Sequence, residues 1–245
     1  MIKELEQTPS TNTWAKEHAD TLRHGDIVVT HCQSAGRGQR GNSWEAEPGK
    51  NLTFSLFLEP HLISPANQFL ISEIVAIAVV NAVRRALAEA VDSHRVKVKW
   101  PNDIYVDNHK IAGILIEHSL QSGKIAYTIA GIGLNVNQTA FVSDAPNPIS
   151  LAQLARREFH LPPILIDICS EITSKLQAPD AIVIHNNYLA DLWRKDGLPH
   201  MFSLPDGTEF NAVISHIAPD GVLHLKNPDG TPAGNFYFKE VAFVL

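Results

Sequence analysis

Alternating apolar and polar positions predict strands in the first half of the chain. Residues Val96–Trp100 form the sequence Val-Lys-Val-Lys-Trp, which has the two-residue period of a half-buried strand. Pro101 ends that strand, because proline cannot donate a hydrogen bond to a central ladder. Comparable patterns predict further strands at residues 26–31, 52–58, 104–106, 109–117 and 127–137. The turn formers Asp107-Asn108 predict that two of these strands pair as a hairpin.

Helices are predicted from capping residues and from the longer apolar period. A polar start predicts a helix over Thr11–Ala19, and Ser64 followed by Pro65 predicts the beginning of a long helix that reaches about Ala90. More helices are predicted across residues 148–194. The chain is therefore expected to alternate strands and helices up to this point.

The composition changes after Asp196–Pro199, where Asp-Gly turn signals begin to recur. They separate short apolar segments at Phe210–Ile217, Val222–Lys226 and Asn235–Val244. About five short strands within roughly 50 residues predict a small closed barrel. We therefore expect an α+β protein with one domain at residues 1–195 and a second at residues 196–245.

Composition narrows the functional classes. With 44% hydrophobic and 19% charged residues, the 245-residue chain is typical of a soluble globular protein. Its net charge of −6 argues against binding to DNA, which usually needs a basic surface. The charged N-terminus predicts no signal peptide, and the longest apolar run, Ile74–Val80, is too short to span a membrane.

Cysteine and histidine spacing argues against a metal site. Cys32 and Cys169 form no C-x-x-C pair, so neither a disulfide framework nor a zinc ribbon is predicted, and two reduced, buried thiols fit a cytosolic protein. The histidines have no metal-site spacing. We expect no metal ligands from the chain itself.

One candidate site surrounds the predicted hairpin. The sequence Lys99–Asp103 is followed by Lys110 and by Gly113–Glu117, so a cation, an amide and a carboxylate gather around one turn. Gly113 interrupts a β-branched strand, which often means that a ligand or another backbone comes close. The alternative is an ordinary hairpin with solvated charges. Strict alternation would put Lys110 with Ala112 and Ile114, and Gly113 with Leu115, and leaves open which face lines a pocket.

A second candidate site is the glycine-rich loop Gln33–Trp44. Its glycines fit G-x-G-x-x-G literally, but Pro48-Gly49 and another strand follow where a dinucleotide site needs a helix, so we reject that interpretation. Exposed amides in such a loop can bind anions, and Arg37 and Arg40 suit carboxylate or phosphate. A solvated surface loop is the alternative.

These two segments, together with Ser10–Asn12 and Gly131–Val136, resemble the motifs of the biotin protein ligase family. The resemblance implies a catalytic domain like that of class II aminoacyl-tRNA synthetases, with a mixed sheet and flanking helices, followed by an SH3-like barrel. It also implies a cytoplasmic enzyme that uses ATP, with Mg²⁺, to activate biotin as biotinyl-5′-AMP. The biotin then passes to a lysine of the biotin carboxyl carrier protein of a carboxylase.

The resemblance further implies the form of the family that lacks an N-terminal DNA-binding domain, because Ser10 lies so near the start. We accordingly expect no DNA and no membrane partner, and the family allows a homodimer. Some members carry Gly-Arg-Gly-Arg-x-Gly-Arg, whereas Gln39 and Asn42 stand at the second and third arginines here. Loss of charge predicts looser retention of the adenylate, unless Arg40 supplies the missing charge; both readings stay open.

Site residues are carried over from the family motifs. The biotin-binding set is Ser10, Thr11, Asn12, Gln33, Gly36, Arg37, Gly38, Gln39, Lys110 and Gly113. The set for ATP and the adenylate is Arg37, Arg40, Trp44, Asn102, Lys110 and Asn135, and the catalytic set is Lys110, Arg37 and Asp103. Competing interpretations are a lipoate ligase or transferase, a non-catalytic biotin-binding module, and a generic nucleotide-binding protein.

Overall fold

A mixed sheet forms the centre of the molecule. The computed structural model describes residues 1–39, 42–142 and 147–244. In these ranges the larger sheet contains β1 (Ile2–Thr8), β2 (Ile27–Gln33), β3 (Leu52–Leu58), β4 (Val96–Lys99), β5 (Asp103–Val106), β6 (His109–Gln121) and β7 (Lys124–Leu134). The order across the sheet is β1-β2-β3-β7-β6-β5-β4. β1 and β2 are parallel, and the other neighbouring pairs are antiparallel.

The predicted strands of this sheet are confirmed, but β1 was missed. It is an edge strand whose side chains are mostly exposed and polar, so its sequence lacks the alternation that marked the others. It lies beside β2 through parallel pairing, from Ile2 opposite Ile27 to Thr8 opposite Gln33. This pairing brings the end of β1, and the residues that follow it, next to the end of β2.

The helices are α1 (Thr11–Glu17), α2 (Phe69–Ala86), α3 (Leu151–Ala155), α4 (Leu161–Gln177) and α5 (Ala181–Ala190). The polar start predicted for α1 is confirmed, since the Ser10 side chain accepts a hydrogen bond from the Thr13 amide. Ser64 precedes a helical turn as predicted, but its side chain makes no capping hydrogen bond, and the long helix does not begin there. Residues Pro65–Asn67 form a 3₁₀ turn closed by i→i+3 bonds, and the α-helix begins only at Phe69. α2 also ends before the predicted residue 90.

Two apolar layers cover opposite faces of the large sheet. Ile27, Phe54 and Leu56 pack into the main core with α2, α4 and α5. Their neighbours Val28 and Phe57 point the other way and pack with Ala15 and Leu22 beside α1. Because adjacent strand residues alternate between faces, α1 must lie on the side opposite α2.

A second, antiparallel sheet occupies the C-terminal segment. Its strands are β8 (His200–Ser203), β9 (Glu209–Ile217), β10 (Leu223–Lys226), β11 (Pro232–Phe236) and β12 (Ala242–Phe243), in the order β11-β10-β9-β8-β12. The apolar segment noted at residues 235–244 contains the end of β11 and all of β12. A turn separates them, with Lys239 at φ +71° and the Glu240 amide bonded to the Tyr237 carbonyl.

Side chains that follow β4 and α5 hold the second sheet in place. Trp100 Nε1 donates to the Gly221 carbonyl at 2.9 Å, and Arg194 donates to the Val244 carbonyl at 2.8 Å. The ring of Trp193 also packs edge-on against Phe243, with centroids 5.4 Å apart. The second sheet is therefore fixed beside the turn that contains Trp100.

The two thiols differ in their exposure, although both were expected to be buried. Cys169 is buried as expected, but Cys32 is partly exposed, because it lies near the open end of β2.

Within the described part of the chain, no helix has both the length and the apolar character needed to cross a membrane.

Candidate active site

A cavity of about 450 Å³ opens between the two sheets. Its walls come from the start of α1, the glycine-rich loop, the β5–β6 hairpin and the C-terminal sheet. Both sequence-predicted motif regions face it. Residues that are far apart in the sequence thus meet around one space.

One end of the cavity carries a network of uncharged polar groups. The Thr11 amide donates to Gln33 Oε1 at 3.0 Å. Ser55 Oγ lies 2.8 Å from Thr11 Oγ1 and 2.6 Å from Asn12 Oδ1. Parallel pairing of β1 and β2 explains this meeting, because it places the start of α1 beside Gln33. Sequence reasoning missed Ser55, although a serine within the apolar run Leu52–Leu58 was a signal.

Glu117 links this polar end to the glycine-rich loop. Its Oε2 accepts a hydrogen bond from Asn12 Nδ2 at 2.7 Å, and Arg37 Nη2 lies 3.4 Å from the same oxygen. The sequence motif contained Glu117, but no role was predicted for it. The Glu117 carboxylate thus orients two predicted site residues, the biotin-binding Asn12 and the catalytic Arg37.

The hairpin brings together the charges that its sequence predicted. Lys110 Nζ lies 2.7 Å from Asp103 Oδ1, and both side chains are mostly buried. Asn102 is held beside them, since its Nδ2 donates to the Ile114 carbonyl at 2.7 Å. A cation, a carboxylate and an amide therefore share one wall of the cavity.

A bulge in the hairpin decides which face carries Lys110. Ile104 pairs with Ala112, but its neighbour Tyr105 pairs with Lys110, so Ile111 is an extra residue in β6. Lys110 and Gly113 consequently share a face, and a β-carbon at position 113 would lie 3.4 Å from Lys110 Cε. The parity expected from strict alternation was wrong for Lys110, because the bulge shifts it by one position.

Trp44 lies across the glycines of two strands. A β-carbon at Gly133 would lie 2.7 Å from its Cζ2, and one at Gly113 would lie 3.0 Å from its Cζ3. Lys110 Nζ lies 5.7 Å from the centre of the indole ring. Among the described residues, none accepts a hydrogen bond from the buried Nε1 of Trp44. The indole thus forms a flat wall next to the predicted phosphate cation.

Most of the predicted site residues line the cavity. They are Ser10, Thr11, Asn12, Gln33, Arg37, Gly38, Gln39, Trp44, Asn102, Asp103, Lys110 and Gly113. Arg40 lies outside the described residues, so its predicted role is a matter for experiment.

Two predicted residues stand behind the cavity wall. Asn135 is almost fully buried, and its Nδ2 donates to the Ile149 carbonyl at 3.1 Å, which does not favour direct contact with ATP. Gly36 packs under Trp44, whose amide donates to the Gly36 carbonyl at 3.0 Å. Both positions support the site rather than forming its surface.

Other residues of the cavity had no role assigned from the sequence, although Lys99 belongs to the Lys99–Asp103 motif. Lys99 lines the cavity, and burial lowers the pKa of its ammonium group, while Asp103 acts in the opposite direction. From the C-terminal sheet and its turns, Phe238, Lys239 and Phe243 also reach the cavity. The contribution of the C-terminal sheet has no local sequence signal, because it depends on how the two sheets pack.

The described side chains form no cluster of three or more His, Cys, Asp or Glu that could hold a metal ion. The cationic groups in the cavity instead suit an anionic ligand. Phosphate and carboxylate oxygens are the natural partners for Arg37 and Lys110.

Comparison with known proteins agrees with this geometry. The family model for "Biotin/lipoate A/B protein ligase family" matches residues 4–135. The "Biotin--[acetyl-CoA-carboxylase] ligase" of Paracoccus denitrificans is 30% identical over 246 residues, which cover 96% of this chain and 99% of that protein. The "Bifunctional ligase/repressor BirA" of Escherichia coli is 35% identical over 127 residues, or 52% of this chain and 38% of that protein. This chain thus matches about two fifths of the length of the second relative.

A solved structure shows the same fold. The biotin protein ligase from Aquifex aeolicus, determined in complex with biotin and ATP, has a TM-score of 0.79 and 20% sequence identity to this chain. The similarity covers 98% of this chain and 97% of that chain, so it includes both sheets.

Proposed function

This chain belongs to the biotin/lipoate A/B protein ligase family, and on that premise we propose that it is an ATP-dependent biotin protein ligase. It activates biotin as biotinyl-5′-AMP and transfers the biotin to a lysine of a biotin carboxyl carrier domain of a carboxylase. ATP enters with Mg²⁺, which usually rides on the phosphates without a dedicated protein cage. We assign residues 1–195 to a catalytic domain like that of class II aminoacyl-tRNA synthetases and residues 196–245 to an SH3-like module, as the resemblance to the family implies.

One observation supports this proposal above the others. A single cavity joins an uncharged polar network at Thr11, Asn12 and Gln33 to the charged group of Arg37, Asp103 and Lys110. Biotin has the same two ends, since its ureido ring is neutral and polar and its valerate tail ends in a carboxylate. The ureido ring would bind the network, and the carboxylate would reach the cations.

The first step joins biotin to the nucleotide. A carboxylate oxygen of biotin forms a bond to the α-phosphorus of ATP, the bond from that phosphorus to the bridging oxygen breaks, and pyrophosphate leaves. Arg37 and Lys110 stabilise the charge that gathers on the carboxylate and the α-phosphate. Trp44 offers a flat surface for the adenine, and Asn102 offers an amide. No nucleophile from the protein is needed.

The second step transfers the acyl group. The amine of the acceptor lysine attacks the acyl carbon of the mixed anhydride, and AMP leaves with the electrons of the broken bond. Asp103 orients the amine and accepts its proton. Asp103 is paired with Lys110 at 2.7 Å, and contact of Lys110 with the phosphate would free the carboxylate for this task.

A two-stage assay tests the proposal. The protein is mixed with ATP and labelled biotin, and we expect release of pyrophosphate and a protein-bound adenylate. Addition of a carrier domain should then move the label to one lysine. Lipoate in place of biotin is the matched control: equal use of lipoate favours a lipoate ligase, and biotin binding without pyrophosphate release favours a non-catalytic module.

A further inference from the structure

Lys99 places a cation in the cavity that the proposed chemistry has not used. It is the last residue of β4, and its Nζ lies 5.0 Å from the centre of the Tyr105 ring and 5.6 Å from that of Phe243. Among the residues that the structure describes, no carboxylate forms an ion pair with it. A mostly buried ammonium group therefore faces the cavity with aromatic rings as its neighbours.

Lys97, two positions earlier on the same strand, provides a contrast. Its Nζ donates to the Ala190 carbonyl at 3.2 Å and lies 3.8 Å from Asp191 Oδ1, away from the cavity. Both lysines alternate with buried valines and so occupy the same side of β4. The two lysines differ only in their position along the strand. The ammonium group of Lys97 therefore contacts a protein partner, and that of Lys99 faces the cavity.

Leaving an ammonium group without an anionic partner in a partly buried site is unfavourable, because the charge loses hydration. The aromatic contacts recover part of that loss. The lowered pKa of Lys99 reflects the same burial. Such a group is expected where an anionic ligand supplies the missing partner.

The proposed reaction contains an anion to which no cation of the protein has yet been assigned. Arg37 and Lys110 are assigned to the biotin carboxylate and the α-phosphate. The β- and γ-phosphates of ATP carry the remaining charge, and they leave together as pyrophosphate. Lys99 lines the same cavity as Lys110, pairs across the strands with Asp103, and lies beside the ring of Phe243 of the C-terminal sheet.

We propose that Lys99 binds the β- and γ-phosphates of ATP and stabilises the departing pyrophosphate. The inference rests on the proposed function. In the adenylation step, the bond between the α-phosphorus and the bridging oxygen breaks and its electrons remain on pyrophosphate. The Lys99 ammonium offsets part of that charge, and no proton is transferred. Lys99 is thus a catalytic residue of the first step and takes no part in the second.

The test compares Lys99→Met, Lys99→Arg and the matched control Lys97→Met. Methionine keeps the apolar stem against Tyr105 and Phe243 and removes the charge. Loss of one charge-assisted contact should raise the KM for ATP, and for pyrophosphate in the reverse reaction, by about 10- to 100-fold. Lys99→Arg should recover most of the loss, and Lys97→Met should match the native protein.

Two measurements distinguish a specific role of Lys99 in the first step from a general effect on the protein. Biotin affinity and single-turnover transfer from preformed biotinyl-5′-AMP to the carrier lysine should be unchanged in Lys99→Met. Thermal unfolding should show that this variant is at least as stable as the native protein, because an unpaired charge has been removed. An unchanged KM for pyrophosphate, or a transfer rate that falls as much as adenylation, would overturn the proposal.

Direct binding separates this inference from the proposed function. Calorimetric titration with pyrophosphate alone should show binding to the native protein that weakens at least about tenfold in Lys99→Met, by the same contact argument. If the native protein makes no adenylate but this difference is seen, the proposed function fails and the anion site stands. Equal pyrophosphate affinity in the two proteins would refute the anion site by itself.

Discussion

Trp44 lies directly against Gly133, so that a β-carbon at position 133 would be 2.7 Å from Cζ2 of the indole. Two residues away on the same face of β7, Gly131 does the same for Asn12, whose Cγ would be 2.9 Å from a β-carbon there. Each glycine therefore makes room for one side chain of the site. Packing therefore explains the Gly-Ile-Gly pattern. Asn12 lies against the first glycine and Trp44 against the second, at opposite ends of the cavity.

Alanine at these two glycines should separate the two ends of the site. Gly133→Ala should displace Trp44 and raise the KM for ATP by about tenfold or more, with little change in biotin affinity, because an overpacked contact costs about 1–3 kcal/mol. Gly131→Ala should displace Asn12 and weaken biotin binding instead. Each variant is the control for the other, and calorimetry with biotin and with ATP measures both. Equal effects on both ligands would show that the ends are not independent.

Lys110→Ala should reduce adenylate formation by about 10²–10³-fold, as expected for removal of a group that stabilises transition-state charge. The fold should survive, because the ion pair of Lys110 with Asp103 lies in the cavity wall and not in the packed apolar core. Lys175→Ala is the matched control, since Lys175 is similarly exposed and lies 3.7 Å from Glu171 on α4, far from the site. Pyrophosphate exchange measures adenylate formation, and thermal unfolding measures the stability of the fold. A normal exchange rate in Lys110→Ala would remove Lys110 from the mechanism.

Gln39→Arg should slow the release of biotinyl-5′-AMP. Gln39 lines the cavity, and a guanidinium would hold a phosphate more strongly than a neutral amide does. The dissociation rate of labelled adenylate from the native and variant proteins is the measurement. Identical rates would mean that Arg40 or another cation already retains the adenylate and that position 39 does not control retention.

Trp100→Phe should loosen the attachment of the C-terminal sheet. The change removes the 2.9 Å hydrogen bond to the Gly221 carbonyl but keeps an aromatic ring against Phe238. We expect the free energy of unfolding to fall by about 1–2 kcal/mol and the KM for ATP to rise, since that sheet forms part of the cavity wall. Trp14→Phe, on α1, is the control and should leave ATP use unchanged. Denaturant unfolding and steady-state kinetics would show whether the two effects occur together.

The two thiols should react very differently. Burial raises the pKa of the Cys169 thiol to about 12, so the reactive thiolate is scarce at pH 8, roughly one part in 10⁴. Raising the pH toward 12 would increase that fraction, but only where the reagent can reach the core. Cys32 is partly exposed and should react first. A chromogenic thiol reagent at pH 8 should report one fast equivalent, lost in Cys32→Ser, and a second only on unfolding. Two equally fast equivalents would contradict the burial of Cys169.

Local features of the chain were sufficient to predict most of the large sheet. Alternation gave the strands from residue 26 to residue 137, and turn formers at Asp107-Asn108 gave the hairpin that brings Asp103 to Lys110. These predictions succeed because side-chain period and turn conformation depend on neighbouring residues. β1 was not predicted in this way, because an exposed edge strand needs no apolar alternation.

The sequence by itself determined the motifs, the hairpin and the chemical character of the site. Tertiary structure alone decided which face of β6 carries Lys110, because a bulge at Ile111 is a property of strand pairing and not of alternation. It also decided that Asn135 lies behind the wall and that Lys99 meets Phe243. Trp100 and Gly221, which join the two sheets, are 121 positions apart in the chain. No local pattern encodes such a contact, because it exists only when the two sheets pack together.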